Sequence, residues 1–176
     1  FPDITYSFYP VYCGLYDVEF INQPLTESFK IDLSEYPSEN GGVIFPNPNA
    51  PTGRVLTLSE IEAFLKKNTD SVVVVDEAYI EFEPQTSAVS LIERYPHLVV
   101  IRTLSKAFGL AAVRCGFILA SKNVMQYVGK LIPPYPMPDC SSQIVLEALS
   151  AERILVMSDA TSKLVELRDR FADELT

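Results

Sequence analysis

The spacing of apolar positions changes along this chain, and each change marks an element. Residues 71–76 read Ser71-Val72-Val73-Val74-Val75-Asp76, four valines in a row without alternation. Such a run predicts a strand covered on both faces, as in a parallel sheet. Apolar runs at 43–45, 98–102 and 115–120 predict three more buried strands, and 18–21 a short one. The 21 residues from 77 to 97 suit a right-handed parallel crossover between two of them. Helical spacing appears elsewhere. Ile61, Phe64 and Leu65 recur at i, i+3, i+4 behind Thr57 and Glu60, whose spacing is that of a capping box, and this helix is expected to end near Asn68. Further helices are predicted over 4–16 (despite Pro10), over 86–94 with Thr86 or Ser87 as cap, from 121 through Lys130, and from a Ser141 or Ser142 cap to Leu149. Residues 151–176 predict a long amphipathic helix with Ile154, Leu155, Met157, Leu164, Leu167, Phe171 and Leu175 on one face.

Between these elements the chain is punctuated by turns. Residues 24–41 are polar and read as loop, with one helical turn near Leu33. Pro46-Asn47-Pro48-Asn49-Ala50-Pro51-Thr52-Gly53 is a rigid turn after a strand, and 132–138 a proline-kinked linker. The pattern as a whole is α/β.

Composition narrows the function. At 176 residues and 48% hydrophobic, the chain is long enough for one domain with a real core. A net charge of -9 argues against a nucleic-acid partner. No apolar run reaches the roughly 18 residues of a membrane span, and no signal peptide is visible. Cys13, Cys115 and Cys140 are odd in number and widely spaced, which predicts neither a disulfide framework nor a zinc site and fits a cytoplasmic setting. The start at Phe1, without Met, and the end inside a helical pattern predict a piece of a longer protein.

The chemistry sits at the strand ends, where open α/β sheets place ligands. Asn49, Asp76, Tyr79, Thr103, Ser105, Lys106 and Arg114 all fall there. Some of these, and Tyr6, have a bland alternative: Asp76 as a helix cap or a solvated strand end, the proline-rich segment as a plain turn, Lys106 as a buried structural lysine, Tyr6 as a core or interface aromatic. His97, the one histidine, precedes a strand and reads as structural, which removes most histidine-dependent chemistry. Taken together, the set suits a ligand with a phosphate, a ring nitrogen, a ring oxygen and an aldehyde. Pyridoxal 5'-phosphate has all four. Lys106 offers the amine for the aldehyde. Asp76 pairs with a protonated ring nitrogen, Asn49 and Tyr79 donate to the ring oxygen, and Tyr6 stacks on the ring. Thr103, Ser105 and Arg114 hold the phosphate. A nucleotide site is a weaker reading, since neither a G-x-G-x-x-G after a strand nor a G-x-x-x-x-G-K-[ST] occurs.

Asn49-Ala50-Pro51-Thr52-Gly53, Asp76-Glu77-Ala78-Tyr79 and Ser105-Lys106 with Arg114 eight residues on resemble the successive signatures of fold-type I aminotransferases. Ile4-Thr5-Tyr6 resembles the segment bearing that family's stacking aromatic. Within the family, Asp76-Glu77-Ala78-Tyr79-Ile80-Glu81-Phe82, Tyr95-Pro96-His97-Leu98, Arg102-Thr103-Leu104-Ser105-Lys106-Ala107-Phe108-Gly109-Leu110-Ala111 and Pro134-Tyr135-Pro136 are similar to the histidinol-phosphate aminotransferases. The resemblance implies a three-layer α/β/α sandwich with a mostly parallel sheet. Residues 1–150 would be the centre of its pyridoxal-phosphate-binding large domain, and 151–176 the helix leading to a small domain. It implies a cytoplasmic homodimer with its site at the interface, an amino donor and a 2-oxo acid as substrates, and histidinol phosphate exchanged with 2-oxoglutarate in histidine biosynthesis. An aromatic-amino-acid aminotransferase or a decarboxylase of the same fold is the alternative within the chemistry, and a non-catalytic α/β binding module the alternative outside it. Two departures stand out: Ala50 occupies a position where many relatives carry Asn, with Asn49 expected to reach in its place, and Ala112-Val113 replaces Gly-Leu. The family's glycine-rich phosphate loop, partner-subunit tyrosine and carboxylate-binding arginine have no counterpart in these residues, so the piece alone is expected not to transaminate.

Overall fold

A computed structural model describes residues 1–175. Four strands form one sheet in the order β1-β2-β3-β4: β1 is Gly42–Pro46, β2 Val72–Asp76, β3 Leu98–Thr103 and β4 Gly116–Ala120. The first three are parallel, and β4 runs antiparallel to β3. The helices are α1 (Tyr9–Leu15), α2 (Leu58–Lys67), α3 (Lys122–Leu131), α4 (Asp139–Ala148) and α5 (Ala151–Leu175). The mostly parallel α/β arrangement is the one expected.

The larger cluster of buried side chains lies on one face of the sheet. Val43, Phe45, Val73, Val75, Leu98 and Val100 point there and meet Ile61, Phe64 and Leu65 of α2, with Ala88 and Leu91 beside them. Each large side chain fully buried in this way stabilises the fold by about 1.5–3 kcal/mol. The helix that covers them starts where local chemistry says it should. Thr57 Oγ1 accepts from Glu60 N–H and the Glu60 carboxylate accepts from Thr57 N–H, a complete capping box.

Several expectations are corrected. The valine strand is not covered equally on both faces: Val73 and Val75 are fully buried, whereas Val72 is 41% exposed and Val74 half-buried. Its second face carries the site at its far end. Strand β4 is not buried either, because it is the sheet edge; Phe117 and Ile118 are exposed. Residues 18–21 form no strand, since no neighbouring strand offers them a ladder. The 4–16 helix shortens to α1, where Pro10 falls in the first turn that tolerates it. The 86–94 helix is a pair of 3-10 turns, Pro84–Thr86 and Ala88–Leu91, the second capped by Ser87. Neither Ser141 nor Ser142 caps α4; Pro138 stands at that position in an extended conformation, and Ser142 already lies inside the first turn, with its N–H on Pro138 O. Helix α5 forms as expected up to Leu175, Thr176 lying outside the described residues. Leu155, Leu164, Leu167 and Phe171 on its apolar side are exposed, because no element among the described residues packs over them.

Candidate active site

Strand register builds the site. Pro46, Asp76 and Ile101 stand side by side at the C-terminal ends of β1, β2 and β3, on the face away from α2. The ladder then runs one step further, with Asn47 N–H on Asp76 O at 2.8 Å and Glu77 N–H on Ile101 O at 2.8 Å. Residues 104–115 link β3 to the antiparallel β4 and fold back over this edge. Leu104 N–H donates to Cys115 O, Gly109 N–H to Lys106 O and Leu110 N–H to Leu104 O, which pins the segment carrying Ser105 and Lys106. Gly109 has φ +67°, a left-handed conformation that glycine adopts freely. Arg114 closes the turn with φ 57°, and its guanidinium donates to Ala111 O at 2.9 Å.

These strand ends enclose a cavity of about 350 Å³. Seven of the eight residues expected at a site line it: Tyr6, Asp76, Tyr79, Thr103, Ser105, Lys106 and Arg114. The Lys106 ammonium lies 5.1 Å from the centre of the Tyr79 ring. Thr103 Oγ1 and Ser105 Oγ are 2.8 Å apart, and Ser105 N–H donates to Thr103 Oγ1 at 3.1 Å. Two hydroxyls thus lie together on the cavity wall, and Arg114 lines the same cavity. Lys106, Arg114 and Tyr6 are exposed, so the cavity is open on that side.

Asn49 is the exception. It is 1% exposed and turned away from the cavity. Its amide donates to Ile4 O at 3.0 Å and Thr52 Oγ1 at 3.1 Å, and its carbonyl accepts from Thr5 Oγ1 at 3.0 Å. Ala50 lines the cavity in its place. The expected reach of Asn49 to a ring oxygen is therefore not what the fold provides. The turn uses this amide to tie the segment bearing Tyr6 onto the sheet, and it leaves a methyl group on the wall.

Asp76 carries the site's electrostatics. Its Oδ2 accepts from the Tyr9 hydroxyl at 2.8 Å and its Oδ1 from Ala78 N–H at 3.0 Å. Burial pushes its carboxyl above the usual range, against the pull of Tyr9, Ala78 and the positive Lys106. About two of its four lone-pair positions are left for a ligand, and a cation there would relieve the cost of burial. Tyr9 itself, 4% exposed, is pushed far above the ordinary phenol range by burial and by Asp76.

One buried pair was not anticipated. Glu77, with no exposure, accepts from Arg102 Nε at 2.9 Å, Ser87 Oγ at 3.0 Å and Ala88 N–H at 2.6 Å. The Arg102 guanidinium also reaches Ser87 Oγ at 2.7 Å. Register could have revealed the pair, because the step after Asp76 beside Ile101 sets Glu77 beside Arg102. It locks together the two strand ends that carry Asp76 and Thr103. His97 precedes β3, at the opposite end of that strand from the cavity.

The family model for aminotransferase class I and II matches residues 1–176. The chain belongs to that family. It is 60% identical over 126 residues to histidinol-phosphate aminotransferase 1 of Methylococcus capsulatus, covering 72% of this chain and 35% of that protein. It is 46% identical over 180 residues to histidinol-phosphate aminotransferase 2 of Dechloromonas aromatica, covering 100% of this chain and 50% of that protein. The chain thus spans half or less of the length of these relatives. The fold is also that of the histidinol-phosphate aminotransferase from Clostridium acetobutylicum, with TM-score 0.86 at 24% identity over 97% of this chain and 53% of the other. Among the described residues no helix is long and apolar enough to cross a membrane.

Proposed function

We propose that the full-length protein is a pyridoxal-phosphate-dependent aminotransferase, with histidinol phosphate as amino donor and 2-oxoglutarate as acceptor. The observation that carries the reading is that one cavity at the ends of parallel strands is lined by a half-buried carboxylate, an exposed lysine, two paired hydroxyls and an arginine. The donor set fits the cofactor. Asp76, under-compensated by its own neighbours, is suited to a protonated ring nitrogen. Thr103, Ser105 and Arg114 are suited to the phosphate. Tyr79 is suited to the ring oxygen and Tyr6 to the ring face. Bound pyridoxal phosphate supplies an aldehyde that takes up amines and a ring that draws off the electrons of a broken α-C–H bond.

In this reading Lys106 holds the cofactor between turnovers and then, as a free amine, moves the proton between substrate and cofactor. Asp76 keeps the ring nitrogen protonated. The choice of substrate follows from the two relatives above, both named histidinol-phosphate aminotransferase. The reading includes a homodimer, whose partner subunit covers the side on which Lys106 and Arg114 are exposed. The test is turnover by the full-length protein, followed as glutamate formed from 2-oxoglutarate. Histidinol phosphate should outperform phenylalanine. A preference for phenylalanine would shift the assignment to an aromatic aminotransferase, and no transfer from either would remove it.

A further inference from the structure

Tyr9 belongs to none of the motifs that define the site, yet it touches two of its parts. It is the first residue of α1 and one of the most buried tyrosines in the chain. Its hydroxyl reaches across 67 residues of sequence to Asp76 Oδ2, at 2.8 Å. Its ring meets Tyr6 edge-on, with centroids 5.6 Å apart and planes at 80°. Among the described residues Asp76 has one other donor, Ala78 N–H, on its other oxygen. A carboxylate held through one oxygen can swing about its Cβ–Cγ bond. Held through both, its plane is fixed, and the remaining lone pairs keep one direction.

We propose that Tyr9 is a positioning residue of this site: its hydroxyl fixes the Asp76 carboxylate toward the cavity while its ring braces Tyr6. The inference rests on the reading that the cavity binds pyridoxal phosphate. It adds a residue outside the cavity lining that governs how well the ring nitrogen is held. The phenol is well suited to the task, since burial and the neighbouring carboxylate keep it protonated and hence a donor.

The test compares two ligands on the full-length protein by equilibrium dialysis: pyridoxal phosphate, and its analogue with the ring nitrogen replaced by CH. Both carry the same aldehyde and phosphate. The change Tyr9→Phe keeps the buried ring and removes one donor to a charged acceptor. It should weaken pyridoxal phosphate roughly ten- to a hundredfold and the analogue by less than about threefold. In an Asp76→Asn background, Tyr9→Phe should cost pyridoxal phosphate less than about threefold further. Equal losses for the two ligands, no loss for pyridoxal phosphate, or a full loss that persists with Asp76→Asn would each overturn the positioning role while leaving the cofactor reading intact. Failure of the unaltered protein to bind either ligand would instead remove the cofactor reading itself. Melting temperatures of the ligand-free variants accompany the measurement. If Tyr9→Phe does not fold, the Asp76→Asn pair decides, since a hydroxyl acting only through Asp76 has nothing left to position there.

Discussion

Replacing Arg102 by leucine should strand a charge in the core. Glu77 has no solvent exposure and would keep only the Ser87 hydroxyl and the Ala88 N–H. It would lose the Arg102 Nε donor at 2.9 Å and the guanidinium contact at 2.8 Å. Removing one side of a buried ion pair costs about 3–5 kcal/mol, because the other charge is left uncompensated. The Arg102 side chain is 32% exposed, so water can follow it part of the way in. The lower end of that range, about 3 kcal/mol, is therefore expected. Urea unfolding of the full-length protein without cofactor, extrapolated linearly to water, measures it. The double variant Arg102→Leu/Glu77→Leu removes the stranded charge and leaves only neutral donors unpaired. It should cost no more than Arg102→Leu alone, so the two changes are strongly coupled. A loss under about 1 kcal/mol for Arg102→Leu, the range of surface pairs, or simple additivity in the double variant, would refute the view that this pair clamps the strand ends.

Three further outcomes follow from the same geometry. Asn49→Ala should cost about 2–3 kcal/mol of stability by leaving Ile4 O and the Thr5 hydroxyl without their partner; if it instead leaves urea stability untouched and removes cofactor binding, Asn49 faces the ligand after all. Gly116→Ala should destabilise by about 1–3 kcal/mol in the same assay, since a Cβ there would lie 2.8 Å from Arg102 O and strand β4 must shift; an unchanged midpoint would contradict the close pairing of β3 and β4. For Glu60, burial opposes ionisation, but hydrogen bonds from Lys30 and Thr57 prevail and lower its carboxyl to about 2. A depressed carboxylate adds stability above its unfolded value of about 4.3, and that stability is lost as pH falls toward 2. Glu60 is 40% exposed in its side chain, so Glu60→Gln should cost about 1 kcal/mol or less at neutral pH, with the gap to the parent closing below about pH 4; a gap that is constant with pH would exclude the charge as its source.

Much of this architecture was legible because the signals were local. The Thr57–Glu60 box and the i, i+3, i+4 apolar positions placed α2 to within a residue. Val73, Val75 and Asp76 announced a buried strand with a carboxylate at its tip. What was not legible depends on tertiary placement. Val18 and Ile21 favour strand by type, but a strand needs a ladder, and none is offered there. Asn49 and Ala50 are adjacent in an irregular turn, where no periodicity decides which side chain faces the cavity. Glu77 and Arg102 are 25 residues apart and meet only through the β2–β3 register. Tyr9 looked like one aromatic among several until helix α1 docked it on Asp76.

The central claim is that Lys106 is the amine that holds pyridoxal phosphate. Borohydride reduction of the full-length protein with the cofactor bound, followed by peptide mapping, tests it directly. A single pyridoxyl group on Lys106 is the predicted result. A stable adduct on another lysine, or none at all, would contradict it.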